Sequence, residues 1–97
     1  MKLYMAEITL PSVFTEEFTS LIPQQRMIVD ALMSKKIIVQ YCVSLERGML
    51  WTVIQGKNEM EIMNVISQFP IEKYIKVQLS ELMFYNTMSQ LPVLSWN

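Results

Sequence analysis

Glu7 is the one carboxylate inside the first apolar stretch, Lys2 to Leu10. A glutamate desolvated in such a stretch can have its pKa raised and shuttle protons. More often such a group pairs with a lysine or arginine across a dimer interface, or faces the wet end of a barrel. Its parity sets it apart from Tyr4, Ala6, Ile8 and Leu10. Histidine is absent from the chain. That excludes Ser-His and Cys-His nucleophilic catalysis within the chain, and histidine ligation of haem. The two glycines are isolated turn residues, so no glycine-rich phosphate loop exists. No cluster of soft metal ligands is visible, and nothing calls for a metal or a cofactor. Cys42 is the single cysteine. It cannot form an internal disulfide, and in mid-strand it reads as a small buried hydrophobe.

The elements that must position these groups follow from periodicity. Tyr4, Ala6, Ile8 and Leu10 form a uniformly apolar strand face, while Leu3, Met5, Glu7 and Thr9 form a mixed one. Thr15 caps a first helix, with Glu16 and Glu17 favourably placed at its N-terminus. Phe18, Leu21, Ile22, Ile28, Val29 and Leu32 give the helical stripe, and Gln25 stands inside it where an apolar residue is expected. Pro23 interrupts this helix, which either runs kinked from about Thr15 to Ser34 or restarts at a first-turn proline. The stripe continues on both sides of Pro23, which favours the kink.

Lys35-Lys36 closes the helix, and Ile37 to Leu45 is the second strand. Strict alternation puts Ile37, Val39, Tyr41, Val43 and Leu45 on one face, with Ile38, Gln40, Cys42 and Ser44 on the other. Glu46-Arg47-Gly48 is a tight connection into a third strand, Met49 to Gln55, making a hairpin. Asn58 and Glu61 resemble a capping box opening a second helix with Ile62, Val65, Ile66 and Phe69 on one face. Pro70 stops that helix. Ile75, Val77 and Leu79 then alternate with polar residues as a fourth strand. The order β-α-β-β-α-β predicts an α+β ferredoxin-like sandwich. It is a four-stranded antiparallel sheet with both helices on one face.

Length and composition bound the function. A chain of 97 residues is one domain. It is 52% hydrophobic and 18% charged, which implies more burial than a small monomer provides. The net charge of −1 and scattered basic residues argue against nucleic acid. No stretch reaches the ~18 apolar residues of a membrane span. No signal-peptide h-region precedes the first strand, so a reducing cytoplasm is the expected compartment. The nine methionines read first as malleable core packing. The helices leave one sheet face uncovered, carrying Leu3, Met5, Ile38 and Cys42. A face that apolar is expected to pair with a second copy, giving a homodimer or a higher oligomer. The tail, 86–97, carries Leu91, Val93, Leu94 and Trp96, and is expected to pack on a neighbouring subunit or a sheet edge.

The strand–capped helix–strand stretch from Gly48 to Leu82, with Gln68-Phe69-Pro70, Tyr74 and the alternating strand that follows, resembles the muconolactone isomerase family. Leu10-Pro11 after the first strand also matches. The resemblance implies a dimeric α+β barrel, in which two open sheets pair face to face. It also implies a pocket between sheet and helices, and a cofactor-free proton shift in a small carboxylated lactone. On that placement the pocket face carries Tyr4, Tyr41 and Trp51, opposite Gln25 and Arg26. Such a lining suits a small, mostly apolar organic ligand with one or two oxygens. The bland reading is that the aromatics fill the core and Gln25 satisfies a backbone group.

The chain departs from the family where the chemistry lies. It reads Gln24-Gln25-Arg26 in place of an acidic run in the first helix. It reads Val39-Gln40-Tyr41-Cys42 in place of a basic, histidine-containing strand. The resemblance therefore carries over fold and assembly but no catalytic residue. For a proton-transfer enzyme, Glu7 and Tyr41 are the candidate groups. The alternatives are a non-catalytic binding or assembly module and a cofactor-independent monooxygenase.

Overall fold

The structure is a computed structural model that describes residues 1–87. Its elements run β1 (Lys2–Thr9), α1 (Glu16–Ser20), α2 (Ile22–Ser34), β2 (Ile38–Ser44), β3 (Met49–Gly56), α3 (Glu59–Ile66) and β4 (Lys76–Leu82). A short 3-10 turn, Glu72–Tyr74, precedes β4. The four strands form one sheet in the order β2-β3-β1-β4, every neighbour antiparallel. With α1 and α2 taken as a divided first helix, this is an α+β arrangement compatible with the ferredoxin-like fold. Among the described residues no helix is long and apolar enough to cross a membrane.

One face of the sheet carries the core. Tyr4, Ala6 and Ile8 of β1 stand level with Ile54, Thr52 and Leu50 of β3. These side chains are buried against Phe18, Val29 and Leu32 from the first two helices and Ile62, Val65 and Ile66 from α3. Leu10, just past β1, is tied to the hairpin by its N–H, which donates to the Gly48 carbonyl at 3.0 Å. Gly48 itself has φ +63°, a left-handed turn conformation that favours glycine.

The helix ends follow from local chemistry. The Thr15 side chain accepts from the Phe18 N–H, and the Asn58 side chain accepts from the Glu61 N–H at 2.9 Å. Glu61 Oε1 reaches back to the Lys57 N–H at 3.0 Å, one residue earlier than a standard capping box.

The structure corrects two expectations about elements. The first helix is not a single kinked rod. It ends at Ser20 and restarts at Ile22, with Pro23 in the first turn of α2. A proline there has no N–H to lose, because first-turn N–H groups lack intrahelical partners anyway. The apolar stripe continues across the break because Leu21 keeps right-handed helical angles.

The second correction concerns β2. The register jumps between Ile38 and Gln40, a β-bulge. The extra residue reverses the parity of everything before it. Ile38 therefore turns inward with Tyr41 and is buried, whereas Val39 is exposed. The bulged Gln40 carbonyl is not orphaned, since the buried Thr52 hydroxyl donates to it at 2.6 Å.

The open face consequently carries Leu3, Met5, Glu7, Trp51, Val53, Cys42 and Leu82, without Ile38. Cys42 is an exposed free thiol rather than a buried hydrophobe, because β2 is an edge strand and among the described residues no helix packs on that face. The tail stretch 88–97, with its expected packing, lies outside the described residues.

Candidate functional site

A polar side chain inside an apolar helical stripe must find a partner or remain a destabilising defect. Gln25 is such a side chain. It lies one turn beyond the start of α2, faces the sheet, and is 3% exposed. Its Nε2 donates to the Tyr41 hydroxyl oxygen on β2 at 3.2 Å. Pairing with Thr52, in unbroken register from the hairpin, holds Tyr41 inward for this contact. The Gln25 Oε1 is buried with no partner, the one such side-chain oxygen or nitrogen among the described residues.

Gln25 and Tyr41 border a cavity of about 400 Å³ between the first two helices and the sheet. Leu10, Phe18, Leu50 and Ile71 form its buried floor, and Phe14, Val43 and Leu45 form an exposed rim. Arg26 is exposed at the same opening and brings the only cation among the lining residues. Among the described residues no carboxylate lines this cavity. A neighbouring groove of about 480 Å³ shares Arg26, Tyr41 and Val43, and adds Asp30, Met33 and Cys42. It offers no buried polar group of its own. The mostly apolar cavity with one buried amide is the better fit to a small organic molecule.

Burial raises the Tyr41 pKa above its ordinary value, and the hydrogen bond from Gln25 only partly offsets this. The phenol therefore holds its proton throughout the neutral range. Because Gln25 occupies the hydroxyl as an acceptor, the Tyr41 proton is uncommitted. The site thus offers a donor on Tyr41 and an acceptor on Gln25, side by side, against hydrocarbon.

The structure brings Gln25, Arg26 and Tyr41 together and separates the other candidates from them. Tyr4 is packed in the core at 3% exposure and does not line the cavity. Trp51 is not on the helix side. It stands level with Glu7 and Cys42, so all three face away from the helices on the open sheet face. Glu7 therefore cannot act on a molecule held beside Tyr41.

Sequence reasoning missed the apolar lining. Phe14 and Phe18, four residues apart with ring centroids at 4.8 Å, form one wall. Their i,i+4 spacing across the Thr15 cap was the available signal. Ile71 arrives from the turn after Pro70, which no periodicity marks. Among the described residues no group of acidic, cysteine or histidine side chains could hold a metal ion. No family model matches the chain, and no curated protein matches it.

Proposed function

We propose that this chain binds a small, mostly apolar organic molecule with an oxygenated end in the cavity bounded by Gln25 and Tyr41. It does so as a homodimer paired through the open sheet face, in the manner of the dimeric α+β barrels that the sequence resembles. The observation that carries the binding reading is the unpartnered, buried Gln25 oxygen beside a cavity. Leaving such a group unsatisfied costs about 1–3 kcal/mol, so a packed core alone is better served by leucine at this position. The volume of about 400 Å³ is within the range of small-molecule sites.

Among the chemical readings, Tyr41 suits a hydrogen-bond donor or general acid, because burial keeps it protonated. A double-bond shift also needs a base, and neither Glu7 nor any carboxylate of the lining provides one. Binding is therefore favoured over cofactor-free isomerisation.

Calorimetric titration with a panel of small phenols, lactones and aromatic acids tests the reading. Wild-type protein should bind at least one class at millimolar affinity or better. The Val43→Trp variant, which fills the mouth from an exposed rim position, should lose that binding while keeping its circular dichroism. Absence of binding across the panel, or unchanged binding in the filled variant, would refute the cavity as a ligand site.

A further inference from the structure

Resting on the cavity being a ligand site, the hydrogen-bond inventory narrows what it takes. We propose that the cavity selects a neutral hydroxyl, alcoholic or phenolic, as the polar end of its ligand. One hydroxyl oxygen would accept the Tyr41 proton and donate its own proton to Gln25 Oε1. The two protein atoms have opposite needs. Gln25 Oε1 can only accept, and among the described residues nothing donates to it. The Tyr41 hydroxyl already accepts from Gln25 Nε2, so what it has left to give is a proton. A hydroxyl is the smallest group that meets both.

Other head groups leave a defect. An ether or ketone oxygen accepts from Tyr41 but leaves Gln25 Oε1 orphaned. A carboxylate sets its own lone pairs against that oxygen and brings a charge into hydrocarbon. An ammonium group donates well, but no carboxylate of the lining offsets its charge. The terminal amide torsion of glutamine is broad, so turning Oε1 onto a bound hydroxyl costs little. Arg26, exposed at the opening, is the competing attractor and would favour an anion.

Titration calorimetry with para-cresol, its methyl ether and para-toluate at neutral pH separates these cases. In wild-type protein para-cresol should bind about tenfold tighter than the ether, as one satisfied buried acceptor implies. Para-toluate should bind most weakly. In Gln25→Leu the preference for cresol over ether should fall to about onefold, since the acceptor is gone. By heteronuclear NMR, the wild-type Gln25 side-chain amide should shift with cresol and not with the ether. This readout does not depend on the variant folding.

Equal binding of ether and cresol, or a preference that survives in Gln25→Leu, would overturn the hydroxyl assignment and leave the cavity reading standing. Para-toluate binding tightest would overturn it in favour of Arg26. Binding of none of the three would overturn the assignment together with the reading it rests on.

Discussion

The Gln25 amide nitrogen donates to the Tyr41 hydroxyl at 3.2 Å, while the amide oxygen of the same side chain is buried without a partner. This pair joins the helix that restarts at Pro23 to the strand that bulges before Gln40. The restart sets the face of α2 that carries Gln25, and pairing with Thr52 beyond the bulge holds Tyr41 on the inward face.

Removing either member of the pair has opposite consequences. Tyr41→Phe leaves the whole Gln25 amide unpartnered in a buried site and should destabilise the fold by about 1–2 kcal/mol. Gln25→Leu removes a group that is already half unsatisfied, so its effect should be neutral to about 2 kcal/mol stabilising. The double variant should recover most of the Tyr41→Phe loss, giving a favourable coupling energy in a double-mutant cycle measured by urea unfolding. Additive effects would mean that the two side chains do not interact in solution.

The raised Tyr41 pKa sets a pH dependence of known sign. Folded-state Tyr41 resists ionisation because burial penalises the phenolate. As pH rises past about 10, the ordinary tyrosine value, the unfolded chain loses its proton first and gains stability relative to the fold. The contribution is fully present below about pH 10 and is lost as pH climbs through the higher folded-state value. Unfolding midpoints of wild type should therefore fall more steeply between about pH 9 and about pH 11 than those of Tyr41→Phe. Parallel slopes would show that Tyr41 titrates as it does in water.

Much of this frame was legible in the sequence, because period-2 and helical spacing are read directly from burial. The inward face of β1 and the inward stripe of α3 follow their patterns residue by residue, as do both side-chain caps. Gln25 was legible as an anomaly in the first-helix stripe. What alternation could not show is the bulge, which adds one residue without any glycine or proline to mark it. Ile38 turns inward and Val39 is exposed for that reason. Trp51 was misplaced for a related one. From Met49 to Ile54 only Thr52 is polar, so parity there has no polar series to fix it, and pairing with Glu7 and Cys42 does. Cys42 was judged by residue type, whereas its exposure is set by the edge position of β2.

The open face gives a test of assembly. Met5 and Val53 stand level across β1 and β3, with Leu3, Trp51 and Leu82 around them. If two such faces pair, Met5→Lys places an unpaired charge from each protomer into the interface. Dimerisation should weaken by roughly a hundredfold or more, with circular dichroism unchanged, because Met5 is only partly buried within one chain. Light scattering at micromolar concentration should report a dimer for wild type and a monomer for the variant. A well-folded wild-type monomer would refute the pairing.

The end of α2 carries strain that substitution can release. The Lys36 N–H donates to the Met33 carbonyl and the Ile37 N–H to the Leu32 carbonyl, both at 2.9 Å, which is the bond pattern of a Schellman closure. That closure needs a left-handed residue after the cap, and Lys36 takes it with φ +63°. A side chain there is crowded against the following carbonyl, at a cost of roughly 1–2 kcal/mol that glycine avoids. Glycine also raises the entropy of the unfolded chain, which offsets part of the gain. Lys36→Gly should therefore stabilise the protein by up to about 1 kcal/mol, read as a higher urea midpoint at unchanged slope. Lys36→Val should do the opposite, since a β-branched side chain fits the left-handed region worst. The position matters beyond stability, because Ile37 follows directly and its carbonyl accepts from the Gln55 N–H at 2.9 Å. That bond anchors β2 to β3 just before the bulge and the stretch of β2 that carries Tyr41. A relaxed Lys36→Gly closure should leave the anchor and the cavity intact, so ligand affinity should match wild type. Altered affinity in a stabilised Lys36→Gly variant would show that strain at this helix end is transmitted to the site.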